Sequence, residues 1–455
     1  MKENKYTPET KSFTKELEFQ GINGKSLGII FDEPELTSDA GLLPLAEHEK
    51  GLHLFSRIAT CIEDTRLFPT HSLRDLIAQR AYQIASGNPD ANDCDRMRMD
   101  VALQVAVGRE EELASQPTMS RLENRITTKE LIRIAYALVE VFFDSYSKPP
   151  DALVIDMDPT AHLLYGQQQL GLFNTHVGDT CMMPFHVYEG ISGKLITTIL
   201  RAGKTPTANE ILAIMKRIVK QIRKRFPKTQ IIFRADSHHT KPEVMAWFEK
   251  QNIDFITGLS PNARLNKQFA ITIEQAIKRY ELNVADKMHS AEVRCFASGT
   301  YQAGSWAEPQ RVICRVIAGP NGVDTRYVVT SFRQVSAKYL YETVYCGRGQ
   351  AELYIKEHKC GLESDRSPCQ SANANQFRLF ICSAVYMLMH SFREHVLQQT
   401  PLARATFSQI RLKLFKVAAR IKRMKTRIRF HLPVAFQFKE VFLRLAVNLE
   451  LAPSG

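Results

Sequence analysis

Carboxylates that close apolar, strand-like runs are the residues of this chain best placed to do chemistry, because a strand fixes the backbone and aims a terminal side chain into a cleft. In VIDMDPT, Asp156 and Asp158 alternate with apolar residues, point to one face and lie roughly 7 Å apart by strand rise. In IIFRADSHH, Asp236 ends an apolar run just before a loop and a helix that opens near Pro242. A lone Asp at a strand end is commonly a turn or cap residue. Two such sites on neighbouring strands make that plain reading less favoured.

A third piece lies in YCGRGQAELYIKEHK, residues 345 to 359, within a helical pattern. At about 100° per residue, Tyr345, Arg348, Glu352 and Lys359 fall near 0°, −60°, −20° and −40°, one stripe with an aromatic, two cations and a carboxylate. Glu357 falls well off it. A solvated face with i,i+4 charge pairs would look similar and would contribute only a few tenths of a kcal/mol per pair. Gly347 and Gly349 argue against that, since each would cost about 1 kcal/mol in an exposed helix. Close approach of another backbone is a usual reason for such glycines, and nucleic acid is one such neighbour.

The elements that must position these residues follow from punctuation and periodicity. A chain of 455 residues, 44% hydrophobic, can bury two or three cores. Residues 1–148 read as mostly helical after a polar start, with amphipathic stretches such as SLRDLIAQRAYQIASG and DRMRMDVALQVAVG closed by glycine. Pro149-Pro150 then breaks the chain. Residues 149–264 carry the two Asp-bearing strands, a hairpin candidate between them, and a long helix opened by Thr207 and Glu210 in capping-box spacing. This predicts an α/β layer with a mixed sheet. Residues 265–333 change to alternating segments such as QRVICRVIAG and TRYVVTSF, an inserted β-rich module. A helical pattern resumes at about Ser336, so that 334–400 rejoins the α/β layer.

Charge sets the class of partner. Of the formal net charge of +12, most sits in residues 401–455, which hold twelve Lys or Arg against two Glu. From Arg411 to Arg429 nine basic residues interleave with apolar ones and no acid intervenes. One face of such a segment can pack on the protein while Arg420, Lys422, Arg423, Lys425 and Arg427 meet phosphates, so a polyanion is the expected partner. RNA, an acidic surface or a merely solvated face would give the same pattern. The nine cysteines are scattered and never spaced as CxxC, which predicts neither a disulfide framework nor a zinc site and fits a reducing, cytosolic compartment. The start, MKENKYTPETK, lacks an apolar signal core, and the apolar stretch around Leu379 to Met389 is too short to span a bilayer, so no membrane segment is expected.

The spacing Tyr345, Arg348, Glu352, Lys359 resembles the Tyr-Arg-Glu-Lys signature of bacterial insertion-sequence DDE transposases. The resemblance extends to FRADS around Asp236, RGQAELYIKEHKCGLESDRS and ANQFRL, and weakly to SQPTMSRLEN. It implies an RNase H-like mixed-sheet catalytic core with a β-rich insertion between the second Asp and the Glu, plus a helical N-terminal DNA-binding and dimerisation region. By position, Asp236 and Glu352 resemble the second and third catalytic acids. Asp158, followed in the family by a hydroxyl residue and here by Pro159, resembles the first, with Asp156 as the alternative and a further candidate metal ligand.

The implied chemistry is cut-and-paste transposition with two Mg²⁺ ions, Mn²⁺ substituting. Double-stranded DNA is the partner, both the element's terminal inverted repeats and the target, and a homodimer holds the paired ends. The implied compartment is the bacterial cytoplasm, at the nucleoid. A nuclease of the same fold without strand transfer, or a non-catalytic DNA-binding derivative, are the alternatives. Arg348 and Lys359 would hold terminal phosphates and Tyr345 would bond to or stack on a distorted end. Trp306, in the loop-rich part of the insertion, is a candidate for stacking on a flipped base, whereas Trp247 reads as core. His238 and His239 read as loop residues, with DNA contact or support of Asp236 as other roles. DRMRMDVALQVAVG and SQPTMSRLENR resemble a helix-turn-helix with Gln116, Ser120, Arg121 and Arg125 at the start of a recognition helix, or an ordinary helical pair.

Overall fold

A computed structural model describes residues 16–33, 35–285 and 292–450; the polar start MKENKYTPETK lies outside them. Caps set the helix starts. Thr127 with Glu130 opens one helix and Thr207 with Glu210 another, each side chain bonding to the other's backbone N–H. The helices that matter for the site are α1 (Val101–Val107), α2 (Gln116–Arg125), α3 (Thr128–Asp144), α4 (Ala208–Arg225), α5 (Pro242–Lys250), α6 (Ala270–Ala285), α7 (Gly349–Lys356) and α8 (Ala372–Ser391).

An eight-stranded sheet runs through the centre. Its strands are β1 (Ala152–Pro159), β2 (Phe185–Glu189), β3 (Leu195–Ile199), β4 (Gln230–Ala235), β5 (Asp254–Leu259), β6 (Val293–Tyr301), β7 (Gln310–Gly319) and β8 (Gly322–Thr330), in the order β6-β7-β8-β5-β4-β1-β2-β3. β1, β4 and β5 are parallel and every other pairing is antiparallel. The sheet is thus mixed, as expected. Strand alternation then sorts the β1 side chains. Leu153, Ile155 and Met157 enter an apolar layer with Phe142 and Phe143 of α3, Ile211 and Met215 of α4 and Phe248 of α5. Asp156 and Asp158 point the other way, toward α7 and α8.

The long helix α8 is buried along almost its whole length, from Ala374 to His390. That makes it a central core helix, and no helix among the described residues is long and apolar enough to cross a membrane. Around it Phe55, Tyr82 and Leu103 from the N-terminal helices join Phe407, Ile410, Leu414 and Phe415 in one core. The breaks expected near residues 148 and 401 therefore fall in the chain without separating cores.

Two expectations need correction, and the form of a third segment is new. The β-rich stretch does not form a separate module: β8 pairs with β5, from Ile256↔Thr330 to Leu259↔Tyr327, so the stretch satisfies the sheet's open edge and lengthens it. The stretch read as the first helix of a helix-turn-helix, residues 95–108, is broken into a short helix Asp93–Met97 and α1. Helix α2 lies against Asp93–Met97 and α8, where its Glu123 is buried between Arg80 and Arg378. The basic segment near the C-terminus is a hairpin of β9 (Ala419–Met424) and β10 (Arg427–His431), with β9 also paired to Leu36–Thr37.

Candidate active site

Strand register brings the acids together. Parallel β1 and β4 pair Asp156 with Arg234, so two residues further on Asp158 and Asp236 leave adjacent strands side by side, about 5 Å apart at the backbone by strand spacing. The helical path over residues 337–361 supplies Glu352. Arg348 joins the pieces: its Nη1 donates to Asp158 Oδ2 at 3.1 Å and its Nη2 to Glu352 Oε1 at 3.0 Å. Burial raises the Asp158 carboxyl to about 7, and the charges of Asp236 and Glu352 add to that while Arg348 opposes it. Asp236 behaves oppositely. Against the upward push of burial, a hydrogen bond from His239 and the charges of His239 and His238 hold it below the ordinary carboxylate range.

The donor set is all carboxylate oxygen, which fits Mg²⁺ or Mn²⁺. Among the described residues, however, no three His, Cys, Asp or Glu side chains converge in metal-binding geometry. In the space between Asp158 and Glu352 the positive charge is the Arg348 guanidinium.

The expected stripe is only partly one face. Residues 340–345 and 357–361 form π-helical turns flanking a 3₁₀ turn and α7, and such irregular turns recur at functional sites. Arg348 and Glu352 remain neighbours. The Tyr345 hydroxyl lies over Gly258 of β5, where a Cβ would come within 2.8 Å of it. Lys359 donates from Nζ to the carbonyl of Ala161 at 2.6 Å, three residues beyond Asp158. Behind it His162, His186 and His358 are buried, and burial keeps all three neutral, His186 down to about 3. Glu357, off the stripe as expected, pairs with Arg393 at 3.1 Å.

Asp156, the alternative first acid, is only 1% exposed and accepts two 2.6 Å hydrogen bonds from Arg234. A carboxylate so engaged has no free face for a metal ion, whereas Asp158 has. Arg234 escaped the sequence reading, although a lone cation inside the apolar run IIFRAD, with an acid at the matching place in VIDMD, was a visible signal. Gly347 is also explained differently from the expected nucleic-acid contact: a methyl there would stand 2.5 Å from Arg234 Nη1. Gly349 faces open space. His239, read as a loop residue, is buried and hydrogen-bonds through Nδ1 to Asp236 Oδ1 at 2.8 Å, a contact that orients the carboxylate. His238 is exposed, as a loop residue should be.

Other candidates fall away from the cleft. Trp306 is 7% exposed, edge-on to Tyr301 in the core under β6 and β7, so its ring is not available to a base; Trp247 is partly buried on the same core, as read. On α2, the Gln116 backbone N–H bonds to Asp95 and the Ser120 carbonyl accepts from Asn124. Arg125 is tied to the Glu63 carbonyl and Asp64, and Arg121 alone of the four is fully exposed. On the hairpin Arg423 turns inward, pairing with Glu35 at 2.7 Å and reaching the Glu110 carbonyl. Arg420, Lys422 and Arg427 share the outer face with Arg429, which sequence reasoning did not single out, while Ile421 and Phe430 face in. Lys425 is exposed at the turn. All nine cysteines are unpaired.

A family model described as Transposase DDE domain group 1 matches residues 19–454. No curated protein matches the chain. Several solved structures are similar to it, among them these two. One is the cryo-EM structure of the piggyBac transposase synaptic complex with hairpin DNA, TM-score 0.44 at 10% identity, over 83% of this chain and 80% of that one. The other is the crystal structure of the Mos1 mariner paired end complex with Mn, TM-score 0.18 at 14% identity, over 53% and 73%. Likenesses at these scores add nothing to the family match.

Proposed function

This chain belongs to the DDE transposase family, and we propose that it cuts and rejoins DNA at the terminal inverted repeats of its own insertion sequence, with Asp158, Asp236 and Glu352 as its catalytic acids. The single observation that carries this reading is that Asp158 and Asp236 leave adjacent strand ends side by side while Arg348 bridges Asp158 to Glu352 on the helical segment. The meander β1-β2-β3, followed by the parallel strands β4 and β5, supports an RNase H-like core.

Two divalent ions held by Asp158, Asp236 and Glu352 would supply activation of water or of a DNA 3′-hydroxyl and stabilisation of the leaving oxygen in an in-line displacement at phosphorus. The chain's own groups do the rest. His239 and the His238 backbone N–H both engage one Asp236 oxygen, Oδ1, and so fix the carboxylate. Arg348 neutralises Asp158 and Glu352 in the free protein and carries a fork suited to a phosphate once they bind cations. Lys359, anchored beside the exit of β1, presents a second cation for the DNA backbone, and Tyr345 lines the Asp236 side of the cleft.

The outer face of the β9–β10 hairpin, with Arg420, Lys422, Arg427 and Arg429, is a backbone-binding surface for duplex DNA, with Lys425 at its tip. Two copies of the chain hold paired ends. The Tyr-Arg-Glu-Lys spacing supports a bacterial insertion-sequence origin and action at the nucleoid.

The test is incubation of the protein and Mg²⁺ or Mn²⁺ with labelled duplex carrying the repeats that flank the reading frame, resolving nicks, hairpins and joined products. Wild type should cleave and join. Site-specific binding without metal-dependent cleavage would instead identify a transposase-derived DNA-binding protein, and cleavage without joining a nuclease.

A further inference from the structure

The most connected side chain beneath the site belongs to neither the acids nor the stripe. Arg234, two residues before Asp236 on β4, is 4% exposed. Its Nε and Nη2 each donate to Asp156 at 2.6 Å, its Nη1 donates to the Val344 carbonyl at 2.7 Å, and its Nη2 also reaches the Gly190 carbonyl at 3.3 Å. Four of the five guanidinium N–H groups are thereby used. Each partner belongs to a different carrier of the site. Asp156 lies two residues before Asp158 on β1, Val344 four residues before Arg348 and eight before Glu352, and Gly190 at the β2–β3 turn.

Two glycines make room for this arrangement. A Cβ at Gly190 would run into the Asp156 carboxylate and the Arg234 guanidinium, and one at Gly347 would collide with Arg234 Nη1. A buried ion pair is a poor choice for stability alone, since apolar residues of the same volume commonly do as well or better. What a planar guanidinium adds is direction: fixed donors at fixed angles to β1, β4 and the helical segment at once.

We propose that Arg234 and Asp156 are positioning residues, a buried clamp that sets the separation of the strand and helix positions carrying Asp158, Asp236 and Glu352. The proposal rests on the reading of those three as the catalytic acids. It assigns to Gly190 and Gly347 the role of admitting the clamp, and it makes the separation of the acids a property of the apo fold, set before DNA arrives.

The decisive variants separate position from folding. Removing Arg234 alone strands a buried carboxylate and destabilises the chain, so the first variant is the double Asp156→Leu/Arg234→Met, which removes both charges at similar volume. The second is Gly347→Ala, which keeps both charges, favours the helix and pushes the guanidinium aside. Mn²⁺ binding to DNA-free protein, followed by electron paramagnetic resonance of the free ion, and end cleavage are measured beside thermal unfolding and DNA affinity.

Both folded variants should bind the DNA end as wild type does. They should cleave it about a hundredfold more slowly, the scale of an ångström's misplacement, and bind Mn²⁺ about tenfold or more weakly, the scale of a lost outer-sphere support. Folded variants that match wild type in Mn²⁺ affinity and cleavage rate overturn the clamp. Should the double variant not fold, Gly347→Ala decides alone. A wild-type protein that neither cleaves nor loses Mn²⁺ binding on Asp158→Ala, Asp236→Ala or Glu352→Ala refutes the catalytic reading itself, an outcome distinct from failure of the clamp.

Discussion

Asp156 and Asp158 sit two residues apart on one strand and face the same way, yet the fold gives them opposite tasks. On the floor of the cleft Asp156 is sealed against Arg234, in a pair whose side chains are 1% and 5% exposed. At the rim Asp158 meets Arg348 through a single 3.1 Å contact, with both side chains about a fifth exposed. The chemistry of the two pairs is the same, carboxylate on guanidinium, and only depth differs. A buried, doubly bonded pair cannot exchange partners without leaving a charge stranded in a low dielectric. A pair at the rim, about a fifth exposed, exchanges more readily, because solvent, a metal ion or a phosphate can reach either member. Depth therefore separates a carboxylate that holds the architecture from one that can change ligands during a reaction.

The contrast breaks most visibly in catalysis. Replacing Asp158, Asp236 or Glu352 with Ala should lower end cleavage by about a thousandfold or more, roughly 4 kcal/mol of transition-state stabilisation, with DNA binding retained in gel shifts. Stability should respond in the reverse order. Arg234→Ala should cost about 3–5 kcal/mol in urea unfolding, because it leaves Asp156 buried and unpaired, whereas Arg348→Ala should cost no more than about 1 kcal/mol. Equal losses from the two would erase the distinction between floor and rim.

Acidity sharpens the comparison further. Asp158 holds its proton up to about pH 7 in the fold and only to about pH 4 in an unfolded chain. The native state thus binds more protons between those values, and the metal-free protein should lose stability as pH rises from about 4 to about 7. A bound cation must displace that proton. The Mn²⁺ concentration for half-maximal cleavage should therefore fall as pH rises through about 7, and added Mn²⁺ should raise the melting temperature more at pH 8 than at pH 6. Insensitivity of both to pH would remove Asp158 from the metal site.

The smallest effect is expected far from the cleft, on the hairpin. Neutralising Arg420, Lys422 and Arg427 with Gln should weaken DNA binding across sequences and reduce the salt slope by about 3, one per phosphate contact. Arg423→Gln, on the inward face with Glu35, should leave the slope unchanged.

The legible part of the molecule is the part governed by local rules. Alternation in VIDMDPT put Asp156 and Asp158 on one face, the box at Thr207 opened its helix, and the apolar run before Asp236 became β4. Depth was harder to read: it arises from which strand pairs with which, so the signal, Arg234 in IIFRAD at the place matching Asp156 in VIDMD, shows only when the two strands are read together. The extra strands β6–β8 were recognised as strands but not as a continuation of the sheet, because an edge offers its hydrogen bonds to any strand of suitable register. Trp306 looked available from its loop-rich setting and was claimed by Tyr301, five residues earlier at the end of β6, and by the core beneath it. The basic tail was read for its charge and not for its hairpin, although alternation from Ala419 to Met424 carries the signal.

The most direct test of the account is anomalous diffraction from crystals of the protein with a bound DNA end and Mn²⁺. The account predicts Mn²⁺ coordinated by Asp158, Asp236 and Glu352, with Arg348 released from the first and last of these and Asp156 still on Arg234. Mn²⁺ bound by Asp156, or found away from these three carboxylates while DNA is held in the cleft, would contradict it.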